Sequence, residues 1–185
     1  SVVIDEYVEE YHLDALAIRC WNEMETILRV CPCVLLSELN DPGIATSCEI
    51  DLTSAISMRA MQLASEQPTA VLDWNNNYGD AEDKLILFHC GSCAQSLMTK
   101  KGTVTSHKMF DKGDPGSGWG TNEGRIRPFK TTISNCLTVD GKIKIYASEA
   151  EFTDDPIEDA YFGCAGVCQI PNMEDKMIRL ARGGF

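Results

Sequence analysis

Between Glu66 and Pro68 the residue pattern changes character, and that change constrains the fold more than any other feature of the chain. Before it, short helical and strand-like segments alternate. Ile4 to Tyr11 is an acidic helical stretch, Ala15 to Cys20 is a short apolar run fit for a buried strand, and Trp21 to Val30 mixes polar and apolar residues at helical spacing. A second apolar run, Cys33 to Leu39, is closed by the turn signal Asn40-Asp41-Pro42-Gly43. The strongest helix runs from Asp51 to Ala64. Ile56, Ala60, Met61 and Leu63 give it an apolar face, and Asp51 and Thr53 put negative charge and a capping oxygen at its start.

After Pro68 the pattern is β-type. Thr69 to Leu72 and Lys84 to Phe88 read as short strands, ended by Asp73 and His89. Lys130 to Cys136 alternates, Val139-Asp140-Gly141-Lys142 is a hairpin turn, and Ile143 to Tyr146 is the returning strand. Asp111 to Gly124 holds five glycines and Pro115 and reads as a long polar loop. Gly166 to Ile170 supplies a further strand, and Met173 to Arg182 an amphipathic helix with a basic last turn. The expected fold is α+β: residues 1–66 form the tail of an α/β layer, and residues 67–185 a β-rich, barrel-like C-terminal domain that ends in a short helix. The chain opens on Ser1 inside what reads as an element and closes on Ala181-Arg182-Gly183-Gly184-Phe185, so a piece of a longer protein, truncated at its end, is expected.

Charge narrows the partners. A net charge of -12 and a pI near 4.6 argue against nucleic acid, whose binding needs a basic surface to displace counterions. No run reaches the roughly 18 apolar residues of a membrane span, and no signal peptide opens the chain, so a cytoplasmic home is the default expectation. Nine cysteines, an odd number, read as reduced thiols rather than as a disulfide framework. Only Cys90 and Cys93 have the C-x-x-C spacing that zinc sites favour.

Three residues at element boundaries have the chemistry of a hard-metal site: Glu49 before the strong helix, Asp73 after one strand and His89 after another. Taken singly, each has an ordinary role, as a dipole partner, a turn former or a packing residue. Their joint placement, within Cys48-Glu49-Ile50-Asp51, Leu72-Asp73-Trp74-Asn75 and Phe88-His89-Cys90-Gly91, points instead to a cleft where two carboxylates and an imidazole meet. Trp74, Tyr78 and Trp119 are candidates for stacking on an apolar face of a ligand. His12 and His107 have no motif behind them and read as structural or surface residues.

These residues carry a resemblance. Ala17-Ile18-Arg19-Cys20-Trp21, Leu39 to Ile44 leading into Cys48-Glu49-Ile50-Asp51, Leu72-Asp73-Trp74 and His89-Cys90-Gly91 resemble the carboxy-terminal half of the L-fucose and L-arabinose isomerase superfamily, closest to its fucose-isomerase-like members. The likeness continues through Gly124 to Pro128, Asp140-Gly141-Lys142 and Gly163-Cys164. It implies a Mn²⁺-dependent aldose–ketose isomerase acting on a small monosaccharide, with Mg²⁺ or Co²⁺ as other candidate cations, and a homo-oligomer when full length. Glu49 and Asp73 would bind metal and move protons, and His89 would complete the shell. A further histidine ligand of the family follows a helix and a Gly-rich turn, where this chain reaches Gly183-Gly184-Phe185. The physical fit is good: moving a proton between C2 and C1 needs a base, a returning acid and stabilisation of the enediolate between them. Two other classes compete with it. A thiol-rich zinc or redox protein would use Cys90 and Cys93, and a non-catalytic sugar-binding relative would have little use for both Glu49 and Asp73.

Overall fold

The computed structural model describes residues 2–110, 117–158 and 161–184. In chain order these form α1 (Val2–Glu10), β1 (Ala15–Ala17), a π-helical turn (Met24–Leu28), α2 (Cys33–Asn40), β2 (Ala45–Ser47), α3 (Leu52–Ser65), β3 (Asp73–Asn77) and β4 (Lys84–His89). A short 3-10 turn (Gln95–Leu97), β5 (Thr103–Ser106), β6 (Trp119–Arg125), β7 (Phe129–Val139), β8 (Lys142–Phe152), β9 (Cys164–Gln169) and α4 (Met173–Gly183) follow. The fold is α+β, as the sequence pattern implies. Among the described residues no helix is long and apolar enough to cross a membrane.

β1 and β2 pair in parallel, Ala15 beside Ala45, with α2 and α3 packed against them. The other seven strands form a second sheet ordered β3-β4-β9-β6-β5, from which β8 and β7 branch. The branch point is β9. One of its edges pairs with β4 along its whole length, and the other is shared by β6 at Cys164 and Ala165 and by β8 at Cys168 and Gln169. Covered on both faces, β9 is buried from Cys164 to Cys168 and needs small residues. The main core gathers around it, from Leu85, Leu87, Leu97, Met98, Ile126, Phe152 and Ile170. The β7–β8 hairpin turns at Asp140 and Gly141, whose φ values of 50° and 72° are both left-handed, as a two-residue turn of the favoured twist requires.

A buried polar seam joins the two layers. Asn122 of β6 donates to Ser37 Oγ (2.9 Å) and to the Cys93 carbonyl (3.4 Å), and Ser37 donates to the Gly91 carbonyl (2.6 Å). Asn40 donates to the carbonyls of Thr46 (3.3 Å) and Ser92 (3.2 Å), and the Asp41 carboxylate accepts the backbone N–H groups of Gln95 (2.8 Å) and Ser96 (3.1 Å). Through these bonds α2 fixes the segment that leaves β4, and with it the position of His89.

Four details depart from the sequence pattern. The apolar run Cys33 to Leu39 is α2, and the segment Trp21 to Val30 folds as a π-helical turn closed by a left-handed Arg29. Strand β3 begins at Asp73 instead of ending there; of the preceding run, Ala70 makes only an isolated bridge to Cys93. The expected loop from Asp111 to Gly124 lies outside the described residues over 111–116, but from Trp119 onward it is strand β6. Finally, α3 is turned away from its expected face. Ile56 and Leu63 are 54% and 66% exposed, while Ala55, Ser57, Met58 and Gln62 are buried. Small side chains let the helix lie close on β1 and β2, and that close fit overrides the pull of the larger apolar ones.

Candidate functional site

The site begins at the turn from β2 into α3. Glu49 and Ile50 both have left-handed φ values, 61° and 57°, a conformation that disfavours non-glycine residues and a β-branched one most of all. The turn is held by Ile50 N–H donating to the Ile18 carbonyl (3.3 Å) and Asp51 N–H to the Cys48 carbonyl (3.0 Å). Asp51 then caps α3, accepting from the Ser54 N–H (2.9 Å), from Thr53 Oγ1 (2.8 Å) and from the Ser54 hydroxyl. Partial burial opposes its charge, but those hydrogen bonds outweigh burial and hold its carboxyl below the usual range. The effect is to project the Glu49 side chain outward at the mouth of the turn, where it is exposed.

Asp73 starts the edge strand β3 and is also exposed, paired across the ladder with Phe88. His89, one residue further along β4, is buried. The three groups sense one another. Desolvation raises the pKa of Glu49, the His89 charge pulls it back, and Cys90, Asp73 and Cys48 push it up again. Desolvation likewise raises Asp73, against His89 and with Cys90, Asp51 and Cys48. Burial works against a charged His89, while Cys90, Cys48 and Asp73 favour that charge and prevail. In the neutral ring the Gly91 N–H donates to His89 Nδ1 (3.1 Å), which places the ring proton on Nε2.

The structure thus places Glu49, Asp73 and His89 within electrostatic reach of one another. It does not draw them into a tight shell: among the described residues no set of three His, Cys, Asp or Glu side chains is placed to hold a metal ion. What it offers a hard divalent cation is two exposed carboxylates, each with its proton affinity raised mainly by desolvation. This donor set suits an ion that keeps several waters.

The remaining candidates divide. Trp74 follows Asp73 but packs against the main core. Trp119 is half exposed on β6, three strands from β3 in the sheet order, and its carbonyl accepts the Cys31 N–H (2.7 Å). The Tyr78 hydroxyl is engaged with the Pro156 carbonyl (3.0 Å). Cys90 and Cys93 do not converge: Cys90 packs with Cys31 and Cys33, whereas Cys93 joins the main core and donates to the Ala94 carbonyl. All nine thiols are free and buried, and the C-x-x-C spacing builds no site.

The chain is similar to sugar isomerases. Over 97 residues it is 32% identical to the sulfoquinovose isomerase of Priestia aryabhattai, a match covering 52% of this chain and 22% of that protein. The sulfoquinovose isomerases of Alkalicoccus urumqiensis (34% identity over 92 residues) and Clostridium sp. strain MSTE9 (36% over 93) match half of this chain and 21% of their own length. The likeness therefore spans about a fifth of these relatives. No protein-family model matches the chain. Fucose and arabinose do not figure in the relatives' names, so the resemblance read from the motifs stands at the level of a sugar isomerase.

Two residues of this region escape a reading of the sequence. Glu25, on the π-helical turn, and His107, after β5, are each 1% exposed and lie behind Glu49 and Cys90. The ring of His107 is boxed by Trp21 (5.9 Å between centroids), Phe110 (5.0 Å) and Phe162 (5.1 Å). A π-helical turn in the structure is the signal that marks Glu25, since such turns gather at functional sites; the sequence alone carries none.

Proposed function

We propose that this chain carries the carboxylate pair of a sugar aldose–ketose isomerase. The observation that carries the reading is the placement of Glu49 and Asp73: two exposed carboxylates from different elements, close enough for the Asp73 charge to raise the proton affinity of Glu49, and both raised by burial. Similarity to the sulfoquinovose isomerases supports it. In the reaction a proton leaves C2 of the open-chain aldose while O1 gains one, and the enediol then takes a proton at C1 and loses one from O2. One of Glu49 and Asp73, as carboxylate, takes the C2 proton; the other, protonated, delivers a proton to C1; the O2 proton passes to O1 by way of water, and proton exchange with water returns both carboxyls to their starting states. The upward shifts of both groups bring them nearer the range in which a carboxylate serves as base and acid in turn.

Glu49 and Asp73 would also hold a divalent cation, Mn²⁺ before Mg²⁺ or Co²⁺, and His89, whose charge lowers the proton affinity of both, would stand by them. A bound cation would supply stabilisation of the negative charge that develops on the two sugar oxygens. The pair sits on a strained turn and a strand start, both braced by buried hydrogen bonds, so the chain presents it already oriented. The substrate class is a monosaccharide like the relatives' sulfonated sugar, and a homo-oligomer is the expected working form.

Calorimetric titration with Mn²⁺ tests the reading. Binding to the unaltered chain that disappears in Glu49→Gln/Asp73→Asn, with unfolding unchanged, is the expected result. Equal binding by that double variant overturns the assignment.

A further inference from the structure

Five of the nine cysteines, drawn from both sides of the change in pattern at Pro68, meet in one place. Cys31, Cys33 and Cys90 pack together against Phe162, and Cys20 and Cys48 pack together against Leu36. Cys33 joins the two groups, with its thiol in hydrogen-bonding reach of both Cys90 and Cys48. Packing alone would account for small side chains here, since a free cysteine fills space as a small hydrophobe does. Two observations separate Cys33 and Cys90 from that role. Cys90 is the least buried of the nine, 8% exposed where the other eight are at 3% or less. Cys33 is pressed against the chain beside it: a Cβ on Gly91 would lie 2.4 Å from Cys33 Cβ and 3.3 Å from its Sγ, so the glycine after Cys90 is what lets α2 come this close.

Both thiols sit on held backbone. Cys33 opens α2, and one turn further on Ser37 donates to the Gly91 carbonyl (2.6 Å) and accepts from Asn122 (2.9 Å). Cys90 follows β4 directly, and its Sγ lies 3.8 Å from His89 Nδ1. A bond between the two sulfurs would tie the start of α2 to the residue after β4, across a junction that buried hydrogen bonds already hold closed.

We infer that Cys33 and Cys90 are a redox pair, modified by hydrogen peroxide to a disulfide that a dithiol reverses. Cys90, the less buried member, reacts first: its sulfur attacks a peroxide oxygen, the O–O bond breaks, water leaves and a sulfenic acid remains. The Cys33 sulfur then attacks that sulfur. The S–O bond breaks, the S–S bond forms, and the oxygen departs with the remaining protons as a second water. Two thiols and one peroxide thus give one disulfide and two waters, with two electrons passing from sulfur to the peroxide. In the reverse direction an added dithiol takes over the disulfide by exchange. Neither step calls on Glu49 or Asp73, so the pair oxidises whether or not the chain is an isomerase.

The test is peptide mapping by tandem mass spectrometry, after the native protein has been treated with hydrogen peroxide and its remaining thiols blocked with N-ethylmaleimide in urea. A cross-linked peptide joining Cys33 to Cys90, absent after dithiothreitol, is expected. Cys33→Ala should leave Cys90 as a sulfenic acid that dimedone labels, and Cys90→Ala should leave Cys33 unoxidised at the same peroxide dose. Because the bond closes the chain from Cys33 to Cys90, the oxidised parent should melt higher than the reduced one, and neither variant should show the rise. Complete blocking of both thiols by maleimide after peroxide overturns the assignment, and so does a main disulfide between any other two cysteines. An oxidised parent that melts below the reduced one overturns it as well, since the bond would then form only by distorting the fold.

Discussion

Glu25 Oε2 and His107 Nε2 are both buried with no hydrogen-bond partner among the described residues, and the His107 ring works against the burial that raises the proton affinity of Glu25. The Met109 N–H donates to His107 Nδ1 (3.3 Å). Burial is the largest influence on Glu25 and raises its pKa from 4.5 to about 7; His107 opposes it, and Cys90, Cys48 and Glu49 add to it. Because the folded carboxyl holds its proton more tightly than the unfolded one, the stabilisation is complete below pH 4.5. It fades as pH rises through 7.

Glu25→Gln removes this titration. The parent should lose on the order of 3 kcal/mol between pH 4.5 and 8, and the variant should lose much less of it. Urea unfolding at a series of pH values reads the difference directly. Parallel profiles for the two proteins would falsify the assignment of the slope to Glu25.

Much of the fold is legible before the structure. The hairpin at Asp140 and Gly141 is announced by its turn residues, and α3 by Asp51, because both depend on neighbours in sequence. The facing of α3 is not legible: Ile56 and Leu63 make the better apolar stripe, but contact with a sheet made elsewhere in the chain selects Ala55 and Met58. Glu49, Asp73 and His89 stand out through their flanks, and the structure does bring them into one neighbourhood. Glu25 and His107 could not be found that way. What marks them is burial without a partner, a property of the folded chain alone.

The cap of α3 makes its own prediction. Asp51 satisfies the exposed N–H of Ser54 and fixes the turn that carries Glu49. Asp51→Ala should destabilise the protein by about 1 kcal/mol. Its lowered pKa means that its contribution is present above the unfolded value near 3.8 and is lost as pH falls through the folded one. The parent–variant gap in unfolding free energy, large at pH 6 and small near pH 2, is the measurement; a gap independent of pH would remove the charge from the explanation.

Asn122 is fully buried where β6 meets α2 and the segment after β4. It donates to Ser37 and Cys93 and accepts from Gln95 Nε2 (3.0 Å). Asn122→Ala leaves those partners unsatisfied in the interior and should cost about 2–4 kcal/mol. Since this seam positions His89, the same variant should weaken Mn²⁺ binding by the folded protein. A large drop in melting temperature with Mn²⁺ affinity intact would show that the seam supports the fold but not the site.

Two glycines separate strain from collision. Gly141 has φ 72° in the hairpin turn, and an added Cβ there would meet nothing within 4 Å. Gly141→Ala therefore costs only the left-handed backbone, about 1–2 kcal/mol. Gly120 has φ 121°, and its Cβ would lie 1.9 Å from the Cys31 carbonyl oxygen. That contact is with backbone, so no side chain can turn aside. It also adjoins the bridge between Val30 and Trp119, which ties the π-helical turn and its Glu25 to the sheet. Gly120→Ala should thus lower stability well beyond Gly141→Ala and should make the backbone amides of Val30 and Cys31 exchange faster with deuterium. Equal losses for the two variants would mean that the close approach of β6 to Cys31 does not hold this corner of the site.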